Sequence, residues 1–251
     1  MISVCIPTYN GERFITAQLS SILSQLDITD EIIISDDKST DDTLKIIRKF
    51  NDVRIKIYIN EKKKSKHKFA FMYTTDNLEN ALKHATGDFI YLADQDDVWR
   101  EDKISKTQIL FKDYDLILSD CILIDENSNK IYDSYFEINK SKKGLFKNIV
   151  SNSYLGCCMA FKRDALFQIL PFPKFSVPHD IWIGLLGEIY SKVYFESEKL
   201  VKYRRHGENL SPSGGISPNT LIYKLSYRFR LIIAIILRML SVHLKEKKNI
   251  T

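Results

Sequence analysis

Short apolar runs alternate with amphipathic segments through the first hundred residues of the chain. Residues 2–6, 31–35 and 89–93 are apolar runs of strand length, and residues 54–59 form a fourth, more polar candidate. Residues 12–26 place apolar side chains at intervals of three and four, which predicts an amphipathic helix. Strands and helices that alternate in this way predict an α/β fold with a mainly parallel sheet.

The remaining helices and strands are predicted from the same kinds of pattern, but the patterns become less regular along the chain. Residues 39–42 (Ser-Thr-Asp-Asp) resemble a capping box, which predicts that a helix opens there and continues to residue 50. The pattern also predicts helices at 77–85, 102–111 and 180–190, and a strand at 115–119. The second half of the chain is therefore expected to be mixed rather than repetitive.

The clearest boundary signal lies near the end of the chain. Residues 211–218 are rich in Ser, Pro and Gly, which marks a linker, and residues 221–244 are again helical in pattern. This predicts one large domain at 1–210, with halves near 1–100 and 101–210. The linker at 211–218 and a basic helical tail at 219–251 would follow it.

Composition excludes several classes of protein. Hydrophobic residues make up 44% of the 251 residues and charged residues 27%, which is ordinary for a globular protein. Glycine occurs only nine times, and neither G-x-x-x-x-G-K-[ST] nor G-x-G-x-x-G is present. This argues against a P-loop phosphotransferase and against an ordinary dinucleotide-binding dehydrogenase. The four cysteines lack metal-site spacing and are predicted to be reduced and buried.

Charge is distributed unevenly along the chain. Residues 199–251 hold eleven Lys or Arg and two Glu, so the rest of the chain is slightly acidic although the net charge is +5. A basic tail on an acidic body suits an anionic surface better than nucleic acid. No signal-peptide pattern precedes the first apolar run, which predicts a cytoplasmic protein.

Three carboxylates follow the apolar run at 89–93. They are Asp94, Asp96 and Asp97, and such close negative charges repel one another unless a cation or hydrogen-bond donors compensate them. Ligands of open parallel sheets bind beyond the carboxyl ends of the strands. We therefore expect a divalent metal here, Mn²⁺ or Mg²⁺, completed by substrate phosphates. A solvated turn is the alternative.

Two other strand ends carry polar residues. Asp36 and Asp37 follow the second apolar run, where a carboxylate would accept hydrogen bonds from a base or ribose or would merely cap a helix. Residues 7–11 (Pro-Thr-Tyr-Asn-Gly) follow the first run, and they suit either a nucleoside pocket or a simple turn.

In combination these segments resemble a known family. The segments are residues 7–10, 36–43, 94–99, 156–161 (Gly-Cys-Cys-Met-Ala-Phe), 179–182 (His-Asp-Ile-Trp) and 203–209 (Tyr-Arg-Arg-His-Gly-Glu-Asn). In this order and spacing they resemble the family 2 glycosyltransferases of the GT-A fold, a Rossmann-like sheet flanked by helices. The pattern is closest to bacterial surface-polysaccharide and rhamnosyl-type transferases, and it covers roughly residues 2–210.

The resemblance implies a role for each matching residue. The implied donor-binding residues are Pro7, Thr8, Tyr9, Asn10, Asp36, Asp94, Gln95 and Asp96, and the implied acceptor-binding residues are Trp99, Gly156, Cys157, His179 and Trp182. Asp180 falls where the family places its catalytic base, although an acidic residue that opens a helix is often only an N-terminal charge.

The metal ligands implied by the resemblance and by residue chemistry are Asp96, Asp94 and His206. A histidine in a basic loop is often merely solvated, but His is also a common metal ligand, and Arg204 and Arg205 beside it would supply phosphate donors.

These expectations converge on a metal-dependent inverting glycosyltransferase. It would move a sugar from a UDP- or dTDP-sugar donor to a glycan or lipid-linked acceptor at the inner face of the plasma membrane. A sugar-phosphate nucleotidyltransferase is the alternative enzyme, but its G-x-G-T-R signature is missing from the sequence. A catalytically silent partner in a polysaccharide complex is the alternative outside enzymology.

The helical tail has three interpretations. Its longest apolar run, residues 231–237, is far shorter than the roughly 20 residues needed to span a bilayer. The apolar stripe would pack on the catalytic domain, lie in the lipid interface with its cations near anionic headgroups, or form a homodimer. Binding at the lipid interface is the favoured interpretation, because the tail holds the excess positive charge of the chain.

Overall fold

A computed structural model describes residues 1–61, 71–173, 177–207 and 221–250 of the chain. Within these residues the strands are β1 (Ile2–Thr8), β2 (Glu31–Asp36), β3 (Ile55–Ile59), β4 (Phe89–Leu92), β5 (Val98–Trp99), β6 (Leu116–Ile124), β7 (Lys130–Tyr132), β8 (Met159–Lys162) and β9 (Val193–Arg204). They form one sheet in the order β3-β2-β1-β4-β8-β6-β9-β5, and β7 pairs with β6 at the side.

The first half of the sheet is parallel, as predicted. Strands β3, β2, β1 and β4 all run in one direction, with Thr8 opposite Asp36 and Cys5 opposite Leu92. Every residue of β1 and β2 is buried, so both faces of the sheet are covered there. The parallel strands therefore end together at one edge, where the polar residues predicted from sequence follow them.

The second half of the sheet is mixed. Strand β8 is antiparallel to both β4 and β6, and β5 is antiparallel to β9. Strand β6 runs parallel to β9 and has a register shift around Asp120. This half brings a distant part of the chain, the end of β9, next to β5 and the acidic segment before it.

The helices cover the sheet. They are α1 (Ile15–Leu23), α2 (Thr43–Lys49), α3 (Phe71–His84), α4 (Lys103–Leu110), α5 (Tyr135–Asn139), α6 (Leu145–Val150), α7 (Leu166–Ile169), α8 (His179–Tyr190) and α9 (Leu221–Ile250). Helix α3 packs on β1 and β2, and α1 packs against β5 and α2. The core is one continuous cluster of buried apolar side chains from both halves of the sheet.

Most predicted elements are confirmed, but the predicted starts of two helices are wrong. Helix α2 begins at Thr43, and its N-cap Asp42 makes no side-chain capping bond. The Ser39 hydroxyl donates to Asp36 instead, so the capping box predicted at 39–42 does not form. Helix α3 begins at Phe71 rather than at residue 77. The four cysteines are free and buried, as predicted.

The tail is helical, and part of it packs on the rest of the protein. Helix α9 extends to Ile250 and contacts α6 and α7. The predicted linker at 211–218 lies outside the described residues, as do the side chains of Leu221 and Ile222. In the part of the chain that the structure describes, no helix combines the length and the apolar character that crossing a membrane requires.

Candidate active site

The predicted polar residues meet at one edge of the sheet. Thr8 ends β1, Asp36 ends β2 and Asp94 lies two residues after β4. Strand β1 lies between the other two, and all three are parallel. This is the crevice position where open parallel sheets bind ligands.

Asp36 organises the turn after β2. Its Oδ2 accepts hydrogen bonds from the Thr8 hydroxyl (2.9 Å) and the Ser39 hydroxyl (2.6 Å), and its Oδ1 accepts from the Ser39 amide (2.8 Å). Asp36, Thr8 and Pro7 are buried. They form the floor of the crevice, and their direct contact with a donor stays a prediction.

The loop after β1 is clamped to the acidic segment. Gln95 Oε1 accepts from the Tyr9 amide (2.9 Å), and Gln95 Nε2 donates to the Tyr9 carbonyl (3.0 Å). A Cβ atom at Gly11 would lie 2.5 Å from Gln95 Oε1, so glycine permits this close approach. Tyr9 and Asn10 are exposed. Contact of Tyr9 and Asn10 with a donor stays a prediction.

Two of the predicted metal ligands lie side by side. His206 Nε2 is 2.7 Å from Asp96 Oδ2, and the two side chains are 8% and 12% exposed. The Phe14 ring lies against the His206 ring, with 5.1 Å between their centroids. A carboxylate and an imidazole are thus held together before any ligand enters.

Asp94 and Asp97 stand in an unfavourable electrostatic environment. Burial, and then the charge of Asp96, raise the pKa of Asp94 to about 7. Asp97 is fully buried, its Oδ1 accepts from the Arg204 amide (2.8 Å), and its pKa is raised well above the usual value by burial. Asp97 Oδ2 has no hydrogen-bond partner of standard geometry among the described residues, and the Cys157 thiol lies beside this carboxylate.

This donor set fits a divalent cation. Ligand atoms of Asp94, Asp97 and Cys157 lie within 4.8 Å of one another, next to the pair formed by Asp96 and His206. A cation would compensate the crowded negative charge, and carboxylate oxygens are the ligands that Mg²⁺ and Mn²⁺ prefer. Cys157 lies beside these carboxylates, and its contact with an acceptor stays a prediction.

Arg204 does not have the phosphate-binding role expected from its neighbours. Its guanidinium donates to the carbonyls of Asp96 (2.8 Å) and Asp125 (3.0 Å) and lies over the Phe14 ring at 4.8 Å. The residue is 3% exposed. Arg204 is therefore a structural clamp that fixes the end of β9 to the acidic segment.

Asp180 lies in the first turn of α8, in a buried setting. Its Oδ1 accepts from the Ile181 amide (2.7 Å), and its Oδ2 accepts from Asn152 Nδ2 (3.3 Å). Burial raises the pKa of Asp180 to about 6. Nothing in the sequence signals Asn152, because it is one polar residue in an irregular loop.

The charge of Asp180 reaches the acidic segment. It is one of the causes that raise the pKa of Asp94, after burial and the charges of Asp96 and Cys158. The predicted base therefore shares an electrostatic environment with Asp94, although Asp180 lies in helix α8, far along the chain from the acidic segment.

His179 and Gly156 fit against each other beside Asp180. A Cβ atom at Gly156 would lie 2.8 Å from His179 Nε2, which is closer than real contacts allow. His179 Nδ1 lies 3.3 Å from the Thr75 hydroxyl, and burial lowers the pKa of His179 to about 4. The imidazole is therefore neutral at neutral pH.

Two predicted acceptor contacts are placed in the core. Trp182 is 1% exposed and its Nε1 donates to the Ile169 carbonyl (3.0 Å). Trp99 is 3% exposed and packs against Tyr91 and the buried Lys103. Large aromatic rings stabilise a core through their area, and contact of these two rings with an acceptor stays a prediction.

Comparisons with known sequences support the sequence resemblance. A family model described as "Glycosyl transferase family 2" matches residues 3–170. The chain is 39% identical over 231 residues to a dTDP-rhamnosyl transferase RfbG of Shigella flexneri, covering 80% of this chain and 72% of the relative. It is 27% identical over 198 residues to an Escherichia coli enzyme named UDP-Glc:alpha-D-GlcNAc-diphosphoundecaprenol beta-1,3-glucosyltransferase WfgD, covering 75% and 70% of the two chains.

Solved structures share the fold. Staphylococcus aureus TarS (residues 1–349) in complex with UDP-GlcNAc superposes with a TM-score of 0.67 at 22% identity, over 90% of this chain and 65% of that chain. A mannosyltransferase from Pyrobaculum calidifontis, in complex with GDP-Man and Mn²⁺, superposes with a TM-score of 0.59 at 17% identity, over 83% and 58% of the two chains. The sheet and helices described above are thus a GT-A fold, and the chain spans less than two thirds of these structures.

Proposed function

The chain belongs to glycosyl transferase family 2, and from that membership we propose that it is an inverting glycosyltransferase with a lipid-linked glycan acceptor. The observation that carries the proposal is Asp180, a half-buried carboxylate whose pKa is raised to about 6 and whose charge acts on the acidic strand end. A carboxylate with a pKa near 6 is ionised at neutral pH and can act as a general base. Transfer of a sugar from a nucleoside diphosphate to a hydroxyl needs such a base.

The donor is proposed to be a UDP- or dTDP-sugar. The relatives described above are named for UDP-glucose and dTDP-rhamnosyl substrates, and TarS was solved with UDP-GlcNAc. In this chain the exposed ring of Tyr9, held by Gln95, would stack on the pyrimidine base. Thr8 and Asp36 would support that loop from below.

The diphosphate end of the donor is proposed to lie at Asp96, His206 and Asp94. A divalent cation held there, Mn²⁺ or Mg²⁺, would neutralise charge that develops on the departing diphosphate. Asp96 and His206 are already in contact at 2.7 Å, so they would bind with little rearrangement. Asp97 would lie beneath this position, where the Arg204 amide donates to its Oδ1 and Arg204 Nε donates to the Asp96 carbonyl.

Asp180 is proposed as the general base. Its carboxylate would accept the proton of the acceptor hydroxyl while that oxygen attacks the anomeric carbon and the bond from this carbon to the diphosphate oxygen breaks. A single displacement of this kind inverts the anomeric centre and needs no covalent enzyme intermediate. Asn152 donates to the same carboxylate and would keep it oriented.

The proposed place of action is the cytoplasmic face of the plasma membrane. The Escherichia coli relative is named for an acceptor on diphosphoundecaprenol, which is a membrane lipid carrier. An enzyme that uses such an acceptor must work at the lipid surface, and peripheral attachment is sufficient for that.

A thermal-shift screen of nucleotide sugars tests the donor proposal. A ligand that binds only the folded state stabilises it by about 2.7 kcal/mol at a hundredfold excess over its dissociation constant. We expect UDP- or dTDP-sugars to raise the melting temperature only with Mn²⁺ or Mg²⁺ present. Stabilisation by nucleoside triphosphates and sugar phosphates instead would favour a nucleotidyltransferase. Donor binding without transfer to any acceptor would favour a silent partner.

A further inference from the structure

Helix α9 has two apolar faces, and the protein covers only one of them. Leu231, Ala234, Ile235 and Val242 are buried against the catalytic domain. Arg238 reinforces this contact by donating from Nη1 to the Leu170 carbonyl (2.9 Å). The tail is thus fixed to the domain through its inner face.

The outer face of α9 remains apolar and exposed. Its residues are Leu225, Phe229, Ile232 and Ile236, spaced four, three and four apart, and Phe229 is 65% exposed. A helix that only packs on its own domain carries polar residues on the opposite side. The outer face therefore fits a further apolar partner.

Helix α6 extends the same surface. Phe146 is 84% exposed and Val150 is 63% exposed, although α6 is only six residues long. Arg228 Nη2 donates to the Val150 carbonyl at 2.7 Å, which places the start of α9 beside the end of α6. We call this surface the α6–α9 patch, formed by Phe146, Val150, Leu225, Phe229, Ile232 and Ile236.

Positive charge predominates in the two segments that carry the α6–α9 patch. Residues 138–153 contain four lysines and no acidic residue, and Lys140, Lys142 and Lys143 are exposed. Residues 221–250 contain seven Lys or Arg against one Glu. Apolar side chains framed by cations are complementary to the interface of an anionic bilayer, where each cation near the surface contributes on its own.

The α6–α9 patch lies next to the acceptor end of the site. Asn152, two residues after α6, donates to Asp180 Oδ2 at 3.3 Å. A membrane in contact with α6 would therefore lie near the base rather than near the nucleotide-binding strand ends. This arrangement would present a membrane-embedded acceptor to Asp180.

We propose that the α6–α9 patch docks the enzyme on an anionic lipid bilayer with the acceptor end of its site toward the membrane. The proposal rests on the glycosyltransferase function proposed above, because it identifies where the lipid-linked acceptor is met. The competing occupant is a second copy of this chain, since the spacing of the outer face of α9 also suits a helix pair.

Vesicle co-sedimentation of the full chain tests the proposal. We expect binding to vesicles that contain phosphatidylglycerol, weak binding to pure phosphatidylcholine, and loss of binding at high salt. The double variant Phe146→Asp/Phe229→Asp should lower the partition coefficient roughly tenfold or more. Lys142→Glu/Lys143→Glu should lower binding to the anionic vesicles alone.

A matched control separates the patch from general surface effects. Val53 is 80% exposed and lies just before β3, the strand at the edge of the parallel half of the sheet, so Val53→Asp should bind vesicles like the unmodified chain. Sedimentation velocity of the same proteins shows whether a second copy of the chain occupies the patch, because it measures their oligomeric state. The docking proposal is overturned if the unmodified chain ignores anionic vesicles, if the double variant still binds them normally, or if the double variant only dissociates a dimer.

Donor binding by the same variants keeps the two proposals apart. If the unmodified chain shows thermal shifts with nucleotide sugar and metal but does not bind anionic vesicles, the docking proposal fails and the transferase proposal stands. If vesicle binding depends on the α6–α9 patch but no nucleotide sugar binds, the transferase proposal fails instead.

Discussion

His206 Nε2 lies 2.7 Å from Asp96 Oδ2, although 110 residues separate the two in the chain. Antiparallel pairing of β5 with β9 brings them together, with Val98 opposite Lys202 and Trp99 opposite Val201. Because β5 follows the acidic segment directly and β9 ends just before His206, this short strand pair determines the geometry of the proposed metal site.

Replacement of Asp96 is expected to abolish coupled metal and donor binding. Asp96→Ala removes the carboxylate that contacts His206, so neither a cation nor the diphosphate that depends on it should be held. Calorimetric titration of the nucleotide with and without Mn²⁺ measures this. Asp113→Ala, at an exposed aspartate outside the site, is the control and should bind normally. Unchanged metal-dependent binding by Asp96→Ala would exclude the metal assignment.

Replacement of His206 should have a smaller but clear effect. His206→Ala leaves the carboxylates in place, so Mn²⁺ affinity in the presence of nucleotide should fall by about tenfold or more. The control is His243→Ala, because His243 is exposed on α9. Equal Mn²⁺ affinity in the two variants would show that His206 is only a packing partner of Phe14 and Asp96.

Replacement of Asp180 should separate binding from chemistry. Asp180→Asn keeps the size of the side chain and an oxygen to accept from the Ile181 amide, but it removes the basic group. Transfer should fall by about 10²–10⁴-fold while the dissociation constant of the donor stays the same. Single-turnover kinetics and calorimetry measure the two quantities. Near-normal turnover would remove Asp180 from the mechanism.

The rate of transfer should depend on pH through Asp180. Burial raises its pKa to about 6, so the carboxylate is protonated and inactive as a base below that pH and available above it. At saturating donor and metal, kcat should therefore fall about tenfold per pH unit below pH 6. The acidic limb should be missing from the residual activity of Asp180→Asn. A flat profile down to pH 5 would contradict the assignment.

The parallel half of the site was predictable from sequence for a physical reason. Strands β1, β2 and β4 are buried almost throughout, so they are continuous apolar runs, and any polar group just beyond them must lie at the sheet edge. This logic places Asp36 and Asp94 correctly without any knowledge of the sheet order.

The other half could not be read in the same way. Strand β9 includes Glu196, Glu198 and Lys199 among its buried and exposed positions, so its apolar residues do not alternate regularly. Its partner β5 lies about a hundred residues earlier in the chain, so the pairing cannot be inferred from local sequence. The sequence also did not signal that Trp99 and Trp182 fill the core, because a tryptophan beside a polar motif is equally compatible with a ligand contact. Ser39 was misassigned because its hydroxyl donates to Asp36, three residues earlier, so it takes part in the turn after β2 and does not cap α2.

A single added methyl group should disturb the base without touching the donor. In Gly156→Ala the new Cβ atom would lie 2.8 Å from His179 Nε2, so the imidazole must move. His179 precedes Asp180 in the first turn of α8, so the base should shift with it. Displacement of a reacting group by about 1 Å can lower the rate roughly a hundredfold. Gly207→Ala is the matched control, since a Cβ atom there meets no described atom within 4 Å. We expect Gly156→Ala to lose transfer while it retains metal-dependent donor binding, and Gly207→Ala to retain both; equal transfer rates in the two variants would show that the packing of His179 does not position Asp180.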